Sequence, residues 1–154
     1  MKIRKKWFEI LVEISLVVVV IMLTLGASFV IKVGERHTLG AALATDINSG
    51  HLRIYTGTDP GVENAVTGTL LVDWTLNASN TDTNGVITLG AVTNVNASAT
   101  GTAGYFRITK SDGTTAVADG DVGTSGNSLT LNTTSIVSGG PCSLSGTITV
   151  PAGT

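Results

Sequence analysis

The chain has 154 residues, enough for one domain with a single modest core. Only 13% of its side chains are charged, against about 25% in an average domain. With moderate apolar content and little net charge, this composition excludes a disordered chain, and the absence of a basic stripe argues against nucleic-acid binding. The single cysteine, Cys142, excludes an intramolecular disulfide and a Cys-rich zinc site.

The charge is divided along the chain. Residues 1–38 hold six basic side chains (Lys2, Arg4, Lys5, Lys6, Lys32, Arg36) and three acidic ones (Glu9, Glu13, Glu35). Residues 39–154 hold three basic (Arg53, Arg107, Lys110) and eight acidic ones, which leaves that body near −5 (3 − 8). Two segments are therefore expected: an N-terminal segment, 1–38, and a body, 39–154.

In the first segment, Ile14–Ile31 runs for eighteen residues without a charge behind the basic flank MKIRKK. That length meets the lower limit for a membrane-spanning helix, and the flank has the positive-inside pattern. Three readings follow. They are a signal anchor with the body outside the cytoplasm, a signal peptide cleaved near Gly26-Ala27-Ser28, and a start site set too far upstream. WFEILVEISLVVVV also resembles a pilin-like leader. Trp7 stands where processing wants a small residue, and Glu9 and Glu13 sit one step off the usual position. A buried core helix is the remaining alternative. The four successive valines give it no polar face, so it needs burial on all sides, in a membrane or in an oligomer interface.

In the body, Leu39–Ile47 has apolar residues at helical spacing and ends in Asn48-Ser49-Gly50, so a short helix is predicted there. Strand-like runs follow at His51–Thr56, Thr69–Asn77, Gly85–Val95, Thr102–Thr109, Thr115–Asp119, Ser128–Leu131 and Cys142–Val150. Turn signals separate them: Asp59-Pro60-Gly61, Asn84-Gly85, Asp112-Gly113, Asp119-Gly120, Ser125-Gly126-Asn127 and Gly139-Gly140-Pro141. Many short strands with regular turns predict a mainly β body, an antiparallel sandwich of jelly-roll type. Alternation puts Leu70, Val72, Trp74 and Leu76 on one face, and sets Phe106 and Ile108 against Tyr105, Arg107 and Thr109. The predicted core is Ile54, Trp74, Leu76, Phe106, Ile108 and Ile148. The clearest hairpin is the one through Asp112-Gly113.

Few residues offer chemistry. Asp112, Asp119 and Asp121 suggest scattered cation ligands, but their spacing fits no complete calcium loop and Asp-Gly pairs favour turns. Cys142 has no histidine near it in sequence; His37 and His51 are the only two. Arg107 is expected to pair with a body carboxylate at the surface. Sequons at Asn77, Asn96 and Asn132 are expected by chance in a chain this rich in Asn, Ser and Thr. GTSGNS lacks the lysine of a phosphate loop, and no nucleophile elbow has its partners downstream. No catalytic, cofactor-binding or metal residues are predicted, and the expectation is a protein that is not an enzyme. From Val122 to Pro141 there is no charge at all, a Ser/Thr/Asn/Gly surface suited to close backbone approach between subunits.

LRIYTGTDP (52–60), TGTLLVDWTL (67–76), the long run 99–141 and TITVPAG (147–153) together resemble a family of small tailed-bacteriophage virion structural proteins. The resemblance covers about residues 39–154. It implies a non-enzymatic β domain, first as capsid decoration (cement) and next as a tail or head-fibre component. Its partners are then copies of itself, as a homo-oligomer such as a trimer, and capsid or tail proteins, and its location is the virion. Members begin with a short amphipathic helix, which Leu39–Ile47 matches; Ile14–Ile31 lies outside the pattern. The alternative function is a membrane-anchored adhesive or pilin-like module displayed by that segment.

Overall fold

The computed structural model describes residues 30–150, of which Lys32–Val150 lie in one compact unit. The apolar segment Ile14–Ile31 lies outside the described residues but for its last two. No helix among the described residues is long and apolar enough to cross a membrane.

The fold is mainly β. Among the described residues one helix, α1 (Val33–Ile47), precedes eleven strands. A large sheet contains β1 (His51–Thr56), β2 (Leu70–Thr75), β6 (Gly101–Thr109), β7 (Ala116–Gly123) and β8 (Leu129–Thr130) in the order β2-β1-β6-β7-β8, with β9 (Ser135–Ile136) on the start of β6. A three-stranded sheet orders β11 (Thr147–Thr149), β4 (Val86–Thr88) and β3 (Thr81–Thr83), and β10 (Pro141–Cys142) pairs with β5 (Val95–Asn96). All ladders are antiparallel except that of β7 with β8, which is parallel.

Helix α1 starts six residues earlier than its apolar spacing predicts, so the expected boundary between residues 38 and 39 falls inside it. Polar contacts hold the extra turn. Arg36 Nη2 donates to the Asn84 carbonyl at 2.8 Å, and His37 Nδ1 contacts the Asp82 carboxylate. The buried face is Gly40, Ala44 and Ile47, while Leu39 stays exposed. Gly40 lies so close to Asp82 and Gly85 that a Cβ there would run into the Asp82 carboxylate.

The expected strands Gly85–Val95 and Cys142–Val150 are each split in two. Val86–Thr88 pairs with β11 and Val95–Asn96 with β10, so the ends of each run serve different sheets. The Asn84-Gly85 turn joins β3 to β4 with φ of 56° and 85°, the two-residue hairpin its sequence favours. The Asp112-Gly113 hairpin joins β6 to β7 as predicted. Asp119-Gly120 is no turn. β7 runs straight through it, because Gly120 sits opposite Phe106, whose ring would lie 2.6 Å from any Cβ at that position.

The core includes Leu52, Ile54, Val72, Trp74, Leu76 and Ile108, joined by Ile47 of the helix and Ile87 of β4. Ile54, Trp74, Leu76 and Ile108 are therefore where alternation puts them, whereas Phe106 and Ile148 are only half-buried. Leu71 is also buried, against the alternation. The register between β1 and β2 shifts after Ile54, and Leu71 is the residue left over in the bulge. Tyr105, Arg107 and Thr109, expected to face away from the core, are buried as well. The connection between β1 and β2 folds back over their face of the sheet. The Tyr105 hydroxyl donates to the Thr67 carbonyl at 2.7 Å and accepts from the Thr67 amide at 3.0 Å.

Candidate functional site

Two surfaces stand out, and they differ in charge. The first is the face of the large sheet under residues 59–67. Strand register sets four charged residues in one row across four strands: Asp73 on β2, Arg53 on β1, Arg107 on β6 and Asp119 on β7. Like charges directly opposite each other are unfavourable, and here the two arginines are opposed. Each is compensated from its outer side. Arg107 meets Asp119 through Nε at 2.7 Å and Nη2 at 2.5 Å, and also donates to the carbonyls of Asn64 and Gly61 at 2.9 and 3.0 Å. Arg53 meets Asp73 through Nε at 2.9 Å and the Gly113 carbonyl through Nη1 at 2.6 Å.

The Arg107–Asp119 pair is not the surface pair expected from sequence. Its side chains are 7% and 4% exposed. Hydrogen bonding to Asp119 strengthens the hold of the guanidinium on its proton. Beside the row, Tyr55 and Tyr105 stack with centroids 5.2 Å apart. Burial pushes the Tyr55 hydroxyl pKa upward, against the opposing charge of Arg53.

The acidic residues singled out in the sequence do not converge. Asp119 is committed to Arg107. Asp112 caps the hairpin tip by accepting from the Thr114 and Thr115 amides, both at 2.8 Å, and from the Thr115 hydroxyl. These bonds hold its carboxyl well below the usual range. Asp121 accepts from Ser128 Oγ, the Ser128 amide and Asn127 Nδ2, which lower its pKa to about 2. Among the described residues no group of three or more His, Cys, Asp or Glu side chains is placed to hold a metal ion. His51 is held by Asp73 at 2.8 Å and His37 by Asp82, and neither lines the groove that contains Cys142. Asn77 is engaged in turns, accepting from the Ser79 amide and donating to the Ala91 carbonyl.

The second surface is neutral. No charged residue occurs between Asp82 and Arg107, and none after Asp121. The fold brings these two charge-free stretches together. β4 pairs with β11, β5 with β10, and the start of β6 with β9. Loop hydrogen bonds add to this, with Ala97 N bonded to Gly140 O at 2.9 Å and Ala103 N to Thr134 O at 2.8 Å. The result is a layer whose outer side chains are Thr, Ser, Asn, Ala and Val, with Val137 62% exposed. Within it lies a groove of about 330 Å³ lined by Ile54 and Trp74 together with Leu131, Ile136, Val137 and Pro141. Trp74 Nε1 donates to the Cys142 carbonyl at 3.3 Å, which ties the layer to the large sheet.

Sequence reasoning found the neutral run 122–141 but not its partner, although the interval 83–106 is equally visible as a gap between charges. It also missed Arg53, Tyr55, Asp73 and Thr109 as neighbours. Their only signal is a charged or polar residue alternating with apolar ones, which reads simply as the solvent side of a strand. No family model, curated protein or solved structure matches the chain.

Proposed function

We propose that the protein is a non-enzymatic virion structural component of a tailed bacteriophage, an antiparallel sandwich of jelly-roll type that decorates the capsid as a homo-oligomer and clamps neighbouring subunits. The observation that carries this reading is the convergence of the two charge-free stretches into one layer. Lasting protein interfaces are depleted of charge at their centre, because burying an unpaired charge is costly. A layer of small hydroxyl and amide side chains allows close backbone approach and hydrogen-bonded packing. A standard interface buries about 1,600 Å² in total, and several weak contacts on one oligomer multiply in effect. The resemblance of residues 39–154 to phage virion proteins supplies the particle as the setting.

The test is quantitative peptide mass spectrometry on purified particles, with the host membrane fraction alongside. A copy number comparable with the major capsid protein supports decoration, and a handful of copies moves the protein to the tail or a head fibre. Recovery only from membranes, with residues 1–13 intact, refutes the virion reading. It leaves the second one, a membrane-anchored surface module, which the basic flank and charge-free Ile14–Ile31 favour. A second test uses Val137→Asp, which puts a charge into the neutral layer. The variant folds normally and fails to join particles if that layer is the contact surface; normal incorporation refutes it.

A further inference from the structure

The charged face of the large sheet opens between residues 62–66 and the tip of the β6–β7 hairpin into a cleft of about 590 Å³, within the ~300–1,000 Å³ range of small-molecule sites. Arg53, Tyr55, Arg107 and Thr109 line its strand side.

Three features define what it can hold. The row Asp73–Arg53–Arg107–Asp119 is neutral as a whole, and Glu63 on the loop side adds a negative charge. An anion therefore finds no net positive field to offset its desolvation. Donors nevertheless remain. Arg53 uses Nε on Asp73 and Nη1 on the Gly113 carbonyl, and its guanidinium also lies within reach of the Tyr55 hydroxyl; Nη2 is not spent on Asp73 or Gly113. Most telling, Thr109 is 2% exposed and its Oγ1 has no hydrogen-bond partner among the described residues. A buried hydroxyl left unpaired destabilises a fold unless a partner is supplied, and Thr109 stands in the wall of the cleft.

The cleft thus offers guanidinium donors, hydroxyls that both donate and accept, and the Glu63 carboxylate as acceptor, beside a row whose own charges balance. Vicinal hydroxyls on a neutral ring, each able to donate and accept, match that set. An apolar ligand would strand the polar groups. We propose that this cleft binds a neutral sugar unit, with Arg53 Nη2 donating to ring hydroxyls and Thr109 Oγ1 bonded to one of them. The inference stands apart from the assembly reading and uses the opposite, charged face.

Saturation-transfer NMR on the full chain tests it, with glucose, galactose, mannose and N-acetylglucosamine as neutral probes and glucuronate and inorganic phosphate as anionic ones. At least one neutral sugar is expected to bind. Thr109→Val removes one hydrogen bond and is expected to weaken that binding about fivefold, with the melting temperature unchanged or raised. Arg53→Lys keeps the charge beside Asp73 but removes Nη2, so it should weaken the same sugar, and it serves if Thr109→Val does not fold. Silence from every neutral sugar up to about 100 mM overturns the proposal, since a dissociation constant of about 1 mM would then give near-full occupancy. Binding of glucuronate or phosphate alone overturns it too, as does sugar binding that neither variant alters.

Discussion

Replacing Arg107 with methionine removes the centre of the charged row and leaves its surroundings in place. In the native protein the guanidinium donates to both Asp119 oxygens and to the carbonyls of Gly61 and Asn64, inside a site where the two side chains are 7% and 4% exposed. Methionine fills much of the stem volume, so the loss is chiefly electrostatic. Asp119 is left as an uncompensated buried carboxylate, which costs about 3–5 kcal/mol. At roughly 4 °C per kcal/mol for a domain of this size, the melting temperature should fall by about 12–20 °C. Chemical unfolding in urea gives the same quantity independently. Removing both partners, as Arg107→Met with Asp119→Leu, should recover most of the loss, because no buried charge is then left alone. The two carbonyls stay unpaired in that double variant, so residues 59–67 should remain loosened. Cleavage at Glu63 by a glutamate-specific protease reads this directly. Cleavage should be faster in both variants than in the native chain, even where global stability is restored. The reasoning is refuted if Arg107→Met alone melts within about 3 °C of the native protein, less than ~1 kcal/mol. It is refuted equally if the double variant is less stable than the single one.

Gly40→Ala drives a methyl into the Asp82 carboxylate and should cost about 1–3 kcal/mol as an overpacked contact, measured by thermal melt. Gly34→Ala in the same helix meets nothing within 4 Å and should be neutral or stabilise by roughly 0.5 kcal/mol. Equal effects at the two positions would dismiss the close seat of α1 on the β3–β4 hairpin. Acid sensitivity follows from Asp112 and Asp121. Both carboxyls have folded pKa values below the ordinary value, about 2 for Asp121, so unfolding takes up protons in that window. Their contribution is fully present above the ordinary carboxylate range and is lost as pH falls through the folded values, for Asp121 at about 2 and for Asp112 lower still. Urea melts between the ordinary range and that limit should show a stability slope that Asp112→Asn and Asp121→Asn each flatten; an unchanged slope contradicts the assignment. Trp74→Phe loses the bond to the Cys142 carbonyl and part of the core volume. It should destabilise by about 1–3 kcal/mol, and unchanged denaturant midpoints would show that the tie between sheet and neutral layer carries no weight.

The two faces of the large sheet separate the two proposed roles. The face that carries Leu52, Ile54, Trp74 and Ile108 is covered by the charge-free stretches. The opposite face carries the ion-paired row and the cleft. An interface on the neutral layer therefore leaves the cleft open, and a ligand in the cleft does not compete with assembly. Particle incorporation and sugar binding should respond to different substitutions, Val137→Asp for the first and Thr109→Val for the second.

Local rules of the chain were sufficient for the mainly β class, for the turn at Asn84-Gly85 and the hairpin at Asp112-Gly113, and for the burial of Ile54, Trp74, Leu76 and Ile108. Each depends on near neighbours: side-chain period, turn residues and the exclusion of water from one face. The neutral run from Val122 onward was legible in the same way, as a composition. What the chain could not reveal locally depends on distant segments. Leu71 is buried because a bulge in its pairing with β1 displaces it from the alternation. Tyr105 and Arg107 are buried because residues 59–67 fold over them, and no pattern within β6 records that cover. Asp119-Gly120 reads as a turn until Phe106 is placed opposite the glycine. Helix α1 begins early because Arg36 and His37 find Asn84 and Asp82, more than forty residues away. The charged row and the neutral layer are likewise products of register between strands. Sequence alone determined which residues lacked charge. Tertiary structure decided that they would lie together, since only chain pairing over long distances converts two separate stretches into one surface.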